Sequence, residues 1–223
     1  MKKITILVFG VFLFSLQGSC KPSNDGNKEA ETIAQKEQTP YQTETVNGLK
    51  KAYFASGCFW CVEAVYESVK GVKEAISGYS GGKMQNPTYE NHGDHAEAVE
   101  VIYDPEVVSF SQLIDVYFGS QNVTQVNGQG PDYGTSYRSI IFYQNDEEKK
   151  IIDEKIDTMN KQLGGDKVAA QVLPFQKFWD AENYHQNYEK NNPENPYIQS
   201  VSIPRINKFK QKFPNLLKKA ESH

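Results

Sequence analysis

Between residues 50 and 174 the spacing of apolar positions changes several times, and each change marks an element. KKAYFA (50–55) reads as a short strand that runs into Gly57. From Cys58 onward Phe59, Val62, Val65, Tyr66 and Val69 recur at helical spacing until Gly71 ends the run. VKEAISGYSGG (72–82) predicts a second strand entering a glycine-rich loop, and HAEAVEVIYD (95–104) a third strand closed by Pro105. Phe110, Leu113, Ile114, Tyr117 and Phe118 then mark an amphipathic helix with Ser109 as its cap. SYRSIIFY (136–143) predicts a strand, and the segment from Asp146 to Leu163 a charged helix buried through Ile152, Ile156, Met159 and Leu163. KVAAQVLP (167–174) predicts the last strand. Beyond residue 192 the chain is punctuated by prolines and predicts a surface wrap ending in a short helix through Ile206, Phe209 and Phe213.

In order, the first six elements are β-α-β-β-α-β, the split βαβ pattern of a two-layer, ferredoxin-like α+β fold. The C-terminal part is expected to be a long irregular extension of that core. Ahead of it the pattern is different. Lys2 and Lys3 precede an apolar run from Ile4 to Leu16 that is too short to span a bilayer as an ordinary helix, which predicts an export signal over residues 1–19. LQGSC (16–20) resembles a bacterial lipoprotein processing box, with Cys20 as the lipidated residue; the plainer alternative is an incidental cysteine beside an ordinary cleavage site. Residues 20–47 are polar and nearly free of large aliphatics, so they predict a flexible tether. Residues 48–217 form the folded domain. The expected location is therefore outside the cytoplasm, on a membrane-anchored lipoprotein facing the periplasm or the cell surface.

Composition adds exclusions. The chain has 223 residues, 38% of them hydrophobic, enough for one core, and its net charge of −4 leaves no basic footprint for nucleic acid. Of three cysteines, only Cys58 and Cys61 remain as thiols if Cys20 carries lipid, so a disulfide-dense scaffold is excluded.

Chemistry gathers around GCFWCVE (57–63). Cys58 is placed where a strand ends and a helix begins, so its sulfur meets free backbone N–H groups and the positive end of the helix, both of which favour thiolate. Cys61, one turn later on the same face, can reach it. Four readings stay open: an inert or structural pair, a zinc half-site, a general C-x-x-C thiol–disulfide carrier, and a nucleophile with its partner. Zinc lacks a second cysteine pair or a spaced histidine pair. Thioredoxin-type carriers place tryptophan before the first cysteine, whereas Trp60 lies between these two. In HAEAVEV, alternation puts Glu97 on one face with His95, Val99 and Val101, and Ala96, Ala98 and Glu100 on the other. A carboxyl among valines is desolvated and can stay protonated as a general acid near neutral pH; the alternative is that Glu97 points to solvent near the strand end. Tyr89, closing NPTY, and Tyr137, after GQGPDYGT, are the tyrosines placed to approach the cysteine.

Together GCFWCVE, GYSGG, NPTY, HAEAVEVIYDP, GTSYRS and AENYHQNY resemble, in order and from about residue 50 to the C-terminus, the A-type peptide methionine sulfoxide reductases. The resemblance implies Cys58 as nucleophile, Glu97 as proton donor to the sulfoxide oxygen, Tyr89 and Tyr137 helping to bind that oxygen, and Asp132 completing the polar side. It implies that Phe59 and Trp60 hold the substrate methyl group, with Glu182, Tyr184, His185 and Tyr188 shaping the rim. Many relatives carry glycine where this chain has Cys61 and resolve the reaction with a C-terminal cysteine; this tail has none, which leaves Cys61 as the intramolecular resolver. The segment ENHGDHA (90–96) is shorter than the common form, which bears on Tyr89 and His92. A monomer acting on the S epimer of methionine sulfoxide in oxidised proteins or peptides, without metal or organic cofactor and recycled by a thioredoxin-like reductant, is what the resemblance implies.

Overall fold

A computed structural model of the chain describes residues 38–165 and 167–219. The expected export signal, Cys20 and the first part of the tether lie outside the described residues. Within the tether's last part, the Tyr41 amide donates to the Phe175 carbonyl at 2.7 Å and the Thr43 amide to Gln144 Oε1 at 2.9 Å.

The strands are β1 (Lys50–Ala55), β2 (Val72–Ser80), β3 (Ala96–Tyr103), β4 (Gly128–Gln129), β5 (Asp132–Tyr133), β6 (Ile140–Tyr143), β7 (Gln171–Pro174) and β8 (Phe178–Asp180). The α-helices are α1 (Phe59–Glu67), α2 (Phe110–Gly119), α3 (Asp146–Leu163), α4 (Tyr188–Asn191) and α5 (Ile203–Lys212). One six-stranded sheet runs β7-β6-β1-β3-β2-β8, and β4 pairs with β5 in a separate small hairpin. The pairs β6–β1, β1–β3, β3–β2 and β2–β8 are antiparallel, while β7 lies parallel to β6. The fold is thus α+β around a mixed sheet.

Side-chain alternation on β3 sorts the core. Val99, Val101 and Tyr103 join the large apolar cluster with Phe54, Val62, Val65 and Tyr66, whereas Ala96 and Ala98 face the smaller cluster of Tyr53, Phe142 and Phe175. α1 is anchored by burial of Phe59, Val62, Val65 and Tyr66, each contributing about 1.5–3 kcal/mol. Ser109 caps α2 through a complete capping box with Gln112.

Three expectations need correction. The predicted strand over 136–143 is extended only at Ile140–Tyr143, because Gly134, at φ 126°, turns the chain into a single 3₁₀ turn, Thr135–Tyr137. The strand predicted over 167–174 shortens to Gln171–Pro174, and β4, β5 and β8 had not been expected. Of the apolar stripe on α3 only Ile152 is fully buried. In the tail a π-helical turn, Ile198–Ser202, leads into α5, the short helix predicted there, and Ile206 and Phe209 insert into the main cluster, which had not been expected of a surface wrap.

Candidate active site

Cys58 stands between β1 and α1, at the turn made by Gly57. Gly57 has φ 82°, and a Cβ there would lie 2.5 Å from Gln129 Cβ, so only glycine lets the β4–β5 hairpin close over this corner. Gln129 is itself held by bonds to Asn122 and Ser139. This seating brings Asp132, at the start of β5, to the same end of the sheet.

Cys58 is the N-cap residue of α1 but makes no side-chain capping bond. The first free amide of the helix, that of Phe59, donates instead to Glu97 Oε2 at 2.9 Å. Glu97 is 3% exposed. Burial pushes its carboxyl up to about 8, against the lowering effect of that single amide, so it is mostly protonated at neutral pH. The predicted face of β3 therefore holds: Glu97 points toward α1, with Val99 and Val101, and not to solvent.

The two thiols are both free and buried, and each acts on the other's ionisation. Their ionisation differs from the sequence expectation. Burial, the neighbouring Cys61 and the nearby Glu97 push the Cys58 thiol well up. Cys61, acted on by the Cys58 thiol and the Arg205 guanidinium, is drawn down to about 6. The physical reason is first the burial of Cys58, and the helix-start amide of Phe59 is in addition taken by Glu97.

Tyr89 and Tyr137 both come to this end. Burial raises both phenols, with Glu97 and Cys58 among the charges each feels. The Tyr89 amide donates to Glu182 Oε1 at 2.9 Å, and its ring lies 6.3 Å from that of Phe59. Tyr137 ends the 3₁₀ turn rather than beginning a strand, and the turn is tied to the shortened 90–96 loop by His92 Nε2 and Ser136 Oγ at 2.8 Å. His92 also stacks on Tyr79.

The aromatic floor is continuous. Phe59 is 1% exposed and packs against Tyr79, Tyr89 and His185, while half-buried Trp60 stacks on Tyr188 with centroids 3.8 Å apart. Trp60 Nε1 donates to His185 Nδ1 at 3.0 Å, which leaves the proton of a neutral ring on Nε2. His185 is 1% exposed and burial lowers its pKa, so it supports the floor from beneath and does not shape a rim. Tyr184 is exposed, and Glu182 ties the segment together by accepting from the Tyr79 hydroxyl at 3.1 Å as well as from Tyr89.

Two residues missed by sequence reasoning lie beside the site. Tyr197 donates to Asp132 Oδ2 at 2.6 Å, and the same hydroxyl lies 3.8 Å from Cys61 Sγ. Arg205 donates to the Ser120 carbonyl at 2.7 Å and to Ser56 Oγ at 3.1 Å, against the corner that carries Cys58. A cavity of about 750 Å³ opens beside Asp132, Tyr197 and Arg205, and neither cysteine nor Glu97 lines it. Among the described residues no group of three or more His, Cys, Asp or Glu side chains is placed to hold a metal ion.

The geometry defines a buried dithiol next to a neutral carboxyl, walled by aromatic rings, and comparison with known proteins agrees with that class. The family model for peptide methionine sulfoxide reductase matches residues 50–217. The peptide methionine sulfoxide reductase MsrA of Pasteurella multocida is 44% identical over 173 residues, covering 76% of this chain and 99% of that protein. The reduced form of Mxr1 from Saccharomyces cerevisiae superposes with a TM-score of 0.62 at 31% identity, covering 71% of this chain and 93% of that one. Methionine sulfoxide reductase A of Corynebacterium diphtheriae gives 0.59 at 29% identity, with 66% and 77% covered. The chain belongs to the peptide methionine sulfoxide reductase family and is an enzyme of that class.

Proposed function

We propose that this enzyme reduces methionine S-sulfoxide, free or in oxidised proteins, with Cys58 as nucleophile and Glu97 as general acid. The observation that carries this reading is the Glu97 carboxyl: buried, largely protonated, and bonded to the amide directly after Cys58. Cys58 attacks the sulfoxide sulfur as its proton passes to the neighbouring Cys61. Glu97 protonates the oxygen, which transfers to Cys58, and methionine leaves. Tyr89 and Tyr137 hold the oxygen, Asp132 completes the polar side through the Tyr197 hydroxyl, and Phe59 and Trp60 receive the methyl group. The resulting sulfenic acid on Cys58 condenses with Cys61 to a disulfide and water, and a thioredoxin-like dithiol restores both thiols by exchange. The S epimer follows from the family resemblance.

The wider organisation belongs to the same proposal. The core reads as a split βαβ unit, supported by the central order β6-β1-β3-β2 with antiparallel neighbours, and the C-terminal segment as its extension. Residues 1–19 act as an export signal, Cys20 carries lipid, and the polar stretch after it tethers a monomeric domain outside the cytoplasm.

The test is incubation of an oxidised-methionine peptide with purified protein and dithiothreitol, followed by mass spectrometry. Loss of one oxygen from the peptide is expected. Cys58→Ser should abolish even one turnover, and Cys61→Ser should permit one and leave sulfenic acid on Cys58; a fully active Cys58→Ser variant would falsify the assignment.

A further inference from the structure

Arg205 is a cation beside the cysteine turn that the proposed reaction leaves without a task. It enters from α5, far along the chain, and its guanidinium lies against Ser56 and Gly57. Its hydrogen-bond partners are neutral oxygens, the Ser120 carbonyl and the Ser56 hydroxyl, and among the described residues no carboxylate lies within ion-pair distance of it. A half-buried guanidinium bonded only to neutral groups keeps its full charge for whatever anion forms beside it. The groups facing Cys61 are Cys58 on its own segment, Glu97 from β3, Tyr197 with its Asp132 partner, and Ser202 with its Glu189 partner. Arg205 is the only positive side chain in that set.

We propose that Arg205 is a positioning residue of the second half-reaction, its uncompensated guanidinium holding negative charge on Cys61 and so readying that sulfur to attack an oxidised Cys58. The inference rests on the thiol mechanism proposed above. In the step concerned, Cys61 first gives up to solvent the proton it took from Cys58, and its thiolate attacks the sulfenyl sulfur of Cys58. The S–S bond forms and the S–O bond breaks. The oxygen leaves as hydroxide and takes a proton from solvent to become water; two cysteine sulfurs end as one disulfide, with no outside oxidant. The C-terminal segment thus supplies the charge that lets a cysteine on α1 act as resolver. The lowered ionisation of Cys61 agrees with this placement.

The experiment compares wild type, Arg205→Gln, which keeps donors without charge, and Arg205→Lys, which keeps the charge. Two quantities are read: the rate of Cys58–Cys61 disulfide closure after one turnover without reductant, and the pH midpoint of Cys61 alkylation by iodoacetamide, located by mass spectrometry. Arg205→Gln should still release one methionine per enzyme. Its Cys61 midpoint should rise by about one unit, its closure at pH 7 should slow about tenfold, and raising the pH should restore the rate. Arg205→Lys should stay near wild type in both readouts. An unchanged midpoint in Arg205→Gln, or an Arg205→Lys variant as slow as Arg205→Gln, overturns the assignment. A wild-type protein that releases no methionine sinks the proposed reaction instead, and the alkylation midpoints still decide the role of Arg205.

Discussion

Two glutamates three residues apart on β3 are treated in opposite ways by the two faces of the sheet. Glu100, on the face of Ala96 and Ala98, is 7% exposed and accepts from Lys51 Nζ at 2.9 Å and from the Tyr53 hydroxyl at 2.7 Å. Glu97, on the face of Val99 and Val101, is 3% exposed and accepts from one backbone amide. The same side chain, buried to a similar depth, is given a cation and a phenol on one face and a single amide on the other. A paired carboxylate is a fastener; a carboxyl denied a cation keeps its proton and can give it away. The contrast teaches that burial alone does not make an acid catalyst, because the partners on each face decide whether a buried carboxyl is tied down or left to a single amide.

Breaking the Glu97 side should have the largest effect. Glu97→Gln removes the proton donor and leaves the amide contact, so methionine formation in a single turnover should fall by about 10²–10⁴-fold while binding of the sulfoxide peptide is retained. Next comes pH. The acid must be protonated, so in the wild type the single-turnover rate should decline as pH rises through about 8. The same ionisation bears on stability. The folded-state value lies above the ordinary 4.5, so the folded protein binds the extra proton between 4.5 and about 8, and the Glu97 contribution to stability is lost across that window as pH rises. Glu97→Gln should therefore gain on the wild type in urea denaturation at pH 8 and show no such gain at pH 4.

The Glu100 side should respond the other way round. Glu100→Ala leaves the Tyr53 hydroxyl without its acceptor and Lys51 without its anion, and should cost about 2 kcal/mol in urea denaturation with the single-turnover rate within about twofold of wild type. Tyr53→Phe should show the smallest effect, about 1 kcal/mol. A Glu100→Ala variant that lost methionine formation as severely as Glu97→Gln would erase the distinction between the faces.

Much of this was legible in the chain because it is local. The period-2 pattern of HAEAVEV assigned Glu97 and Glu100 to opposite faces, and the helical spacing after Gly57 put Cys58 and Cys61 at the start of one helix. What was not legible depends on contacts between distant segments. The 3₁₀ turn at Tyr137 follows from how Gly134 leaves the hairpin, and Arg138 then fixes it by donating to the carbonyls of Gly81 and Asp94. β8, only Phe178–Asp180, is too short to show a period and exists because β2 offers it an edge at Gly78–Ser80. The ionisation of the two sulfurs was assigned from the helix start alone, and the competitor for that amide comes from β3. Tyr197 and Arg205 carry no spacing signal, being single polar residues in a proline-punctuated tail whose π-helical turn swings them toward Cys61.

The protonation of Glu97 on a buried face beside Cys58 is the central claim, and infrared difference spectroscopy of wild type against Glu97→Gln over pH 5–10 tests it without reference to turnover. The prediction is a protonated-carboxyl C=O band present at pH 6, absent from Glu97→Gln, and titrating away with a midpoint near 8. A difference spectrum showing carboxylate already at pH 6 would contradict the account.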